Sequence, residues 1–471
     1  MDISARISVY LLVLFIVFSG CNKPINKAKI SGLVMNPRDS IIICSGTDFI
    51  DTLEVNAKGA FNFEITLNKP VWVKLHSAKN NQVFYLQPGS NVQIDFDADK
   101  FWASMKIIGQ PDPVNQYLIN QQTLFYGHRC NNISFRYESS VPEYFEALVD
   151  LQTKLSNNFD KFVADYGKKY RHFSDTEKLR LKYQMAALKL QYGSFVDYDA
   201  KLSDVERIEY FDFLNDIDLN LPENEQLHEF FTFASLYVDR KADVESRNID
   251  SRISGNAGYI HYVFELITTE FKSHLLLEYL YYEKLYDFLM YYGCENLESY
   301  YNEFMKMSKS IEKKYVLQNL WDRWLNIAPG KVAPVFSGTD VNGKVRDITE
   351  FSGQLLVVDV WASWCGPCVR EIPHFEALKK KYAREPVSFL SVSVDDNMNE
   401  WLSAIDNYKL SGNQWYAAGW NNDLCKFYQI NSIPRFILID DNGNIINANA
   451  SPPSGDLESL ITASLNGKTQ L

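Results

Sequence analysis

The sequence predicts a multidomain chain with a small antiparallel β domain at the N-terminus, an α-helical domain in the middle and an α/β domain at the C-terminus. Three observations carry this reading. At 471 residues the chain exceeds what one hydrophobic core organises, and the length prior is about three domains. The hydrophobic pattern changes period twice, from two over residues 27–110, to a helical repeat over 111–327, to alternating strand and helix runs over 331–471. Finally, Ala328-Pro329-Gly330 breaks the last helical pattern just before the third region.

Residues 1–20 read as a targeting segment ahead of these domains. Asp2 and Arg6 lie in a short polar start, and the apolar run Val9 to Phe18 is too short to span a bilayer. It ends in Phe18-Ser19-Gly20-Cys21, which resembles the lipobox where bacterial lipoproteins are cleaved and diacylated, with Phe18 where leucine is usual. The expectation is a lipoprotein signal peptide over 1–20 and a membrane lipid on Cys21; an ordinary secretory signal or a short uncleaved anchor is the alternative. Each places the protein in the cell envelope outside the cytoplasm. Asn22, where aspartate is associated with inner-membrane retention, points to the periplasm-facing side of the outer membrane.

In the 27–110 region, Ser40-Ile41-Ile42-Ile43-Cys44, Ala60–Ile65, Val71–Leu75 and Val92–Phe96 alternate as half-buried strands do, with Lys58-Gly59 and Pro88-Gly89 as turns. The 111–327 region has helical periodicity in Tyr144–Tyr166 and Asp175–Leu190. Its aromatic run between Tyr279 and Tyr292 suits packing between helices, because tyrosine has an apolar body and a polar tip; a ligand groove is the alternative. The 331–471 region offers strands at Leu355–Val360, Val387–Val394 and Arg435–Ile439 and helices at Val369–Tyr382 and Leu457–Leu465. Its near-continuous apolar runs suggest strands buried on both faces.

A net charge of −12 argues against a surface that tracks phosphates, so nucleic acid is excluded as the expected partner. Cys44, Cys130, Cys294 and Cys425 are scattered, unlike a dense disulfide framework, and most of them read as buried small hydrophobes. The remaining two cysteines are different. Trp361-Ala362-Ser363-Trp364-Cys365-Gly366-Pro367-Cys368 follows a buried strand and opens a helix, the context of a redox Cys-x-x-Cys. At a helix N-terminus, unpaired N–H groups and the dipole stabilise a thiolate, lowering its pKa from about 8.5 toward about 7 in thioredoxin-like sites. Cys365 is therefore the expected nucleophile and Cys368 the resolving thiol. Zinc would need further ligands, and neither a second cysteine pair nor a Cys/His cluster follows, so no metal is expected. Trp364 is positioned to form an apolar lip for substrate.

These residues make the 331–471 region similar to the thioredoxin superfamily, and within it to exported TlpA/ResA-like disulfide reductases. The specific parts are Ala333-Pro334-Val335-Phe336 with Asn342-Gly343-Lys344, the Trp-Cys-Gly-Pro-Cys site, and Ser432-Ile433-Pro434-Arg435-Phe436. The 27–110 region resembles, through Gly59-Ala60-Phe61 and Gln87-Pro88-Gly89, a β-sandwich module that precedes such domains in bacterial lipoproteins. The resemblance implies a thioredoxin fold with a redox disulfide Cys365–Cys368. It implies a cis peptide before Pro434 and an Ile433 backbone that, with Trp364, Gly366 and Pro367, binds an extended substrate segment. Asp359 and Glu371 fall where the family's proton-relaying acids stand, both being present where members often carry only one. Gly366-Pro367 between the cysteines implies a low-potential, reducing dithiol. No organic cofactor is implied. The implied partners are protein disulfides, with apocytochrome maturation or general disulfide repair as settings, and a membrane electron donor for re-reduction. An isomerase or oxidase using the same pair, or a binding lipoprotein with a thioredoxin docking domain, are the rival readings.

Overall fold

The computed structural model describes residues 26–37, 41–47, 49–77, 80–108, 112–198, 211–248 and 255–467; the expected leader and its Cys21 lie outside these. The chain divides into two compact units, Met1–Phe233 and Ala234–Leu471.

The first unit carries β1 (Lys27–Met35), β2 (Ile41–Ser45), β3 (Ile50–Glu54), β4 (Ala60–Thr66), β5 (Val71–Ser77), β6 (Asn80–Leu86), β7 (Asn91–Asp97) and β8 (Lys106–Ile107). They form two four-stranded sheets in the orders β4-β1-β7-β8 and β3-β2-β5-β6. Alternation sends Phe61 and Phe63 of β4 and Val92, Ile94 and Phe96 of β7 into a shared core with Leu75 and Phe84. One pairing departs from the antiparallel expectation: β1 and β7 run parallel, from Lys29 opposite Asn91 to Met35 opposite Asp97. The reason is connectivity. β5 and β6 lie in the other sheet, so the chain returns to β1 by a crossover, which permits a parallel neighbour where a hairpin would not.

Helix Pro113–Tyr126 starts behind Asp112, whose carboxylate accepts from the Asn115 amide at 2.9 Å. It covers the edge of β6. Asn115 Oδ1 accepts from Tyr85 N at 2.8 Å, its Nδ2 donates to Tyr85 O at 3.1 Å, and Gln122 Oε1 accepts from Val83 N at 2.8 Å. Two side-chain amides thus satisfy an edge that would otherwise be an unpaired template. Helix Val141–Tyr166 is opened by a Ser140/Glu143 capping box, and helix Arg171–Tyr198 follows it.

The first unit also buries a charge network. Arg180 donates from Nε to Glu177 Oε2 at 2.6 Å, from Nη2 to Glu177 Oε1 at 2.9 Å and from Nη1 to Glu229 Oε1 at 3.0 Å. Tyr117 Oη donates to Glu177 Oε1 at 2.8 Å. Burial opposes the Arg180 charge, but the two carboxylates outweigh it and hold the guanidinium above its ordinary pKa.

The second unit starts within helix His228–Asn248 and continues with helices Gly255–Glu270, His274–Tyr291, Glu298–Met307 and Ile311–Asn326. Aromatic faces join them: Phe264 stacks on Tyr300 at 4.1 Å and Tyr301 on Trp321 at 4.4 Å. There follow β9 (Ser337–Asp340), β10 (Val345–Asp347), β11 (Leu355–Trp361), β12 (Val387–Ser393), β13 (Asn413–Tyr416), β14 (Arg435–Ile439) and β15 (Ile445–Ala450), in one sheet ordered β10-β9-β13-β12-β11-β14-β15. β11 pairs parallel with β12 and antiparallel with β14. Every residue of β11 and β14 is buried, as their apolar runs predict. The turn between β9 and β10 is held by Asp340, which accepts from the amides of Asn342 and Lys344, and Gly343 supplies the positive φ of 79°.

Arg435, the first residue of β14, is buried and, among the described residues, forms no ion pair with a carboxylate. Its guanidinium donates to Ala448 O at 3.5 Å and to Tyr291 O at 3.4 Å, at the carbonyl end of helix His274–Tyr291, and lies 5.7 Å from the Trp324 ring centre. Burial pulls its pKa down to about 10. The carbonyls and the negative helix end are what stabilise the charge there. Among the described residues, no helix is long and apolar enough to cross a membrane.

Candidate active site

β11 delivers the chain into the motif. Cys365 N donates to Ala362 O at 3.1 Å, which turns the backbone, and helix Gly366–Lys381 starts immediately afterwards. The helix thus begins three residues before the expected Val369, because Cys365 itself is the N-cap: its Sγ accepts from Cys368 N at 3.2 Å. Pro367 fits in the first turn, where a missing amide costs nothing. Cys365 and Cys368 are joined in a disulfide with Cα atoms 5.3 Å apart, and both are buried. Gly366 and Pro367 are exposed.

The peptide bond between Ile433 and Pro434 is cis, as expected. The Ile433 carbonyl oxygen lies 3.8 Å from Cys365 Sγ, so the Ser432–Pro434 segment and the Cys365–Cys368 disulfide face each other. Trp364 is 56% exposed beside them and pairs with Trp420 at 6.3 Å between ring centres, whereas Trp361 is buried in the sheet.

The two acids have different settings. Asp359, on β11, is 8% exposed. Burial raises its carboxyl from 3.8 to about 7, against the opposing charge of Lys379 and a hydrogen bond from Ser391, while Glu371 and Glu376 push it further up. Three of those influences come from helix Gly366–Lys381, so Asp359 faces the helix that carries Cys368. Glu371 is half-buried on that helix and its carboxylate is taken up by Ser454, accepting from N at 3.0 Å and from Oγ at 2.7 Å. Its visible work is to hold the Ser454 loop and to place a negative charge near Asp359.

A third acid escaped the sequence reading. Asp395 is fully buried and accepts from Ser363 N at 3.0 Å, Ser363 Oγ at 2.7 Å and Ser393 Oγ at 2.7 Å. It pins the segment just ahead of Cys365 to the end of β12. The available signal was the Asp395-Asp396 pair closing an apolar strand, since sites in α/β folds lie at the carboxyl ends of strands. Replacing Asp395 by alanine should cost about 1–3 kcal/mol, the penalty of leaving buried donors unmet, read as a lower denaturation midpoint of the full chain.

Cys425 lies buried with its thiol pushed up to about 11 by burial, and Cys44 and Cys130 are likewise buried and raised. None of these is activated for exchange. Among the described residues no group of three or more His, Cys, Asp or Glu side chains is placed to hold a metal ion.

Residues 328–463 match the Redoxin family model. The C-terminal part of the chain is a Redoxin domain. The curated relatives it resembles include the thiol-disulfide oxidoreductase ResA of Bacillus thuringiensis subsp. konkukian, 29% identical over 117 residues, 25% of this chain. The match covers 66% of that relative, just under two thirds of its length. ResA of Geobacillus thermodenitrificans is 25% identical over 130 residues, covering 28% of this chain and 74% of the relative. Among solved structures, the thioredoxin domain of a thiol-disulfide oxidoreductase from Bacteroides vulgatus is 28% identical, covering 30% of this chain and 99% of that one, with a TM-score of 0.27.

Proposed function

We propose that the chain is an exported thiol–disulfide oxidoreductase whose Redoxin domain reduces protein disulfides by dithiol exchange. The observation that carries this reading is the buried Cys365–Cys368 pair at the start of helix Gly366–Lys381, facing the Ile433 carbonyl.

In the reduced enzyme the Cys365 thiolate attacks one sulfur of a substrate disulfide. A mixed disulfide forms and one substrate sulfur leaves as thiolate. Cys368 then loses its proton to the Asp359 carboxylate and attacks Cys365 Sγ, expelling the second substrate thiolate and closing the enzyme disulfide. Two electrons pass to the substrate and two protons balance its two thiols. Cys365 is suited to attack because it caps the helix, where the dipole and free amides favour the thiolate. The exposed Trp364, with Gly366 and Pro367 at the surface and the Ile433 backbone opposite, offers an extended segment a place to lie beside the pair. Export by the Cys21 leader and re-reduction by a membrane donor complete the proposal.

The test is the reduction potential of the pair in thiol buffers, followed through tryptophan fluorescence, since Trp364 directly precedes Cys365 and its ring lies 6.3 Å from that of Trp420. A value below roughly −230 mV is expected for a reductase, whereas roughly −120 to −180 mV would assign an oxidase or isomerase. Loss of cycling in Cys365→Ser is expected; cycling that persists there would reject this site.

A further inference from the structure

Beside the redox pair the second unit holds a cavity of about 630 Å³ lined by Arg323, Trp420, Lys426, Gln429 and Asn431, with the buried Cys425 and Ile430 at its base. Its position is set by two links to the site. Trp420 is the partner of Trp364, which precedes Cys365, and Asn431 stands two residues before Ile433, whose carbonyl faces Cys365 Sγ. The wall is chemically one-sided. Arg323, from helix Ile311–Asn326, and Lys426, from helix Asp423–Phe427, are both exposed, and no carboxylate appears among the lining residues. Among the described residues neither cation forms an ion pair. In a chain of net charge −12, two unneutralised cations over one cavity form a local field opposite in sign to the whole.

Asn431 is held in place by its own bonds: Nδ2 donates to Met290 O at 3.2 Å and to Gln429 O at 3.3 Å. Its side-chain oxygen is left for a ligand donor, while the guanidinium and ammonium groups can only donate. Trp420 is 39% exposed and adds an apolar face. An extended chain advances about 3.3 Å per residue. Asn431 stands two positions before Ile433, so a segment lying against Ile433 and running toward Asn431 would carry a side chain about two positions from its cysteine toward the cavity.

We infer that this cavity is a specificity subsite for an acidic side chain, aspartate or glutamate, carried by the substrate protein about two residues from the cysteine under attack. The inference rests on the redox reading above and adds to it a substrate class. Arg323 and Lys426 bind the carboxylate; they touch no reacting sulfur and set which disulfides are reached quickly.

The experiment uses the full chain, reduced beforehand, and short peptides whose single cysteine is in mixed disulfide with 2-mercaptoethanol. The residue two positions from that cysteine is glutamate, glutamine or lysine. Oxidation of the enzyme is followed by tryptophan fluorescence, and the rate ratio between glutamate and lysine peptides is the readout. The wild-type protein should favour glutamate about 3- to 10-fold at low salt, the range for two exposed ion pairs, with the preference shrinking as salt rises. The double variant Arg323→Glu with Lys426→Glu should reverse the ratio, while Lys426→Arg should keep it. A ratio near one in the wild type, or an unchanged ratio in the double variant, would overturn the subsite. Hydroxyethyl disulfide separates the two levels: turnover of it with no charge preference sinks the subsite alone, and no turnover of any disulfide sinks the redox reading together with it.

Discussion

Asp359→Asn should slow disulfide exchange by about 10²-fold, the lower end of what a positioned proton acceptor supplies, and should at the same time make the protein more stable at pH 8. Both effects come from one cause. Burial raises this carboxyl from 3.8 to about 7, so near neutral pH it exists in both forms and can take a proton from Cys368 as the mixed disulfide resolves. Asparagine cannot. The variant should still attack substrate through Cys365, and the mixed disulfide should accumulate to a level visible by intact-mass measurement, with a pH profile that loses its inflection near 7. The stability effect has the opposite sign. A carboxyl whose folded pKa is raised keeps its proton in the native state after the unfolded chain has released it, so stability falls as pH rises from about 4 to about 7. Asparagine removes that loss. The gain has a ceiling of about 4 kcal/mol above pH 7 and vanishes below about pH 4. Denaturant midpoints of both proteins at pH 4 and pH 8 check it; equal gains at both would mean that ionisation of Asp359 is not the source.

The legible parts of this chain are those decided over short stretches. An unbroken apolar run marks β11, a Cys-x-x-Cys soon after it marks the disulfide, and Ile433-Pro434 ahead of another apolar run marks the segment opposite. What escaped depends on residues that meet only in the fold. Asp395 reaches Ser363 across 32 positions because β11 and β12 are neighbours. The hydrogen bond that Glu371 accepts from Ser454, 83 positions away, is of the same kind. The parallel pairing of β1 with β7 could not be read either, since period-two alternation fixes which face a residue occupies and leaves the strand's neighbour open. Asn115 and Gln122 look like ordinary helix polar residues until β6 lies alongside to use them. Helical periodicity over 111–327 likewise says nothing of which helices belong together. In the structure they are shared between Met1–Phe233 and Ala234–Leu471.

The buried network of Arg180, Glu177 and Glu229 carries the largest expected effect on folding. The side chains of Arg180 and Glu177 are 0% exposed and that of Glu229 is 14% exposed. Such a group gains little over an apolar core of the same shape, because desolvation offsets attraction, but it is costly to break singly. Arg180→Met should therefore destabilise the first unit by roughly 3–5 kcal/mol, the range for stranding a buried charge. Arg180→Lys should recover little of it. The guanidinium makes three bonds to two carboxylates in a planar fork, and an ammonium cannot reproduce that spread. The triple variant Arg180→Met, Glu177→Gln, Glu229→Gln should recover part of the loss, since no carboxylate is then stranded by the missing guanidinium, while the buried Lys74 ammonium loses the Glu229 charge that favours it. The pH dependence distinguishes this from simple packing. Arg180, Lys74 and His228 hold the Glu229 carboxyl below its ordinary value against the effect of burial. A depressed carboxylate contributes stability above its unfolded pKa of about 4.3, and that contribution disappears as pH falls through the lower folded value. The wild-type protein should accordingly lose its advantage over the triple variant on acidification below about pH 4, measured as convergence of their denaturant midpoints. A single Arg180→Met variant within about 1 kcal/mol of wild type at pH 7 would show that water, rather than Arg180, neutralises these carboxylates.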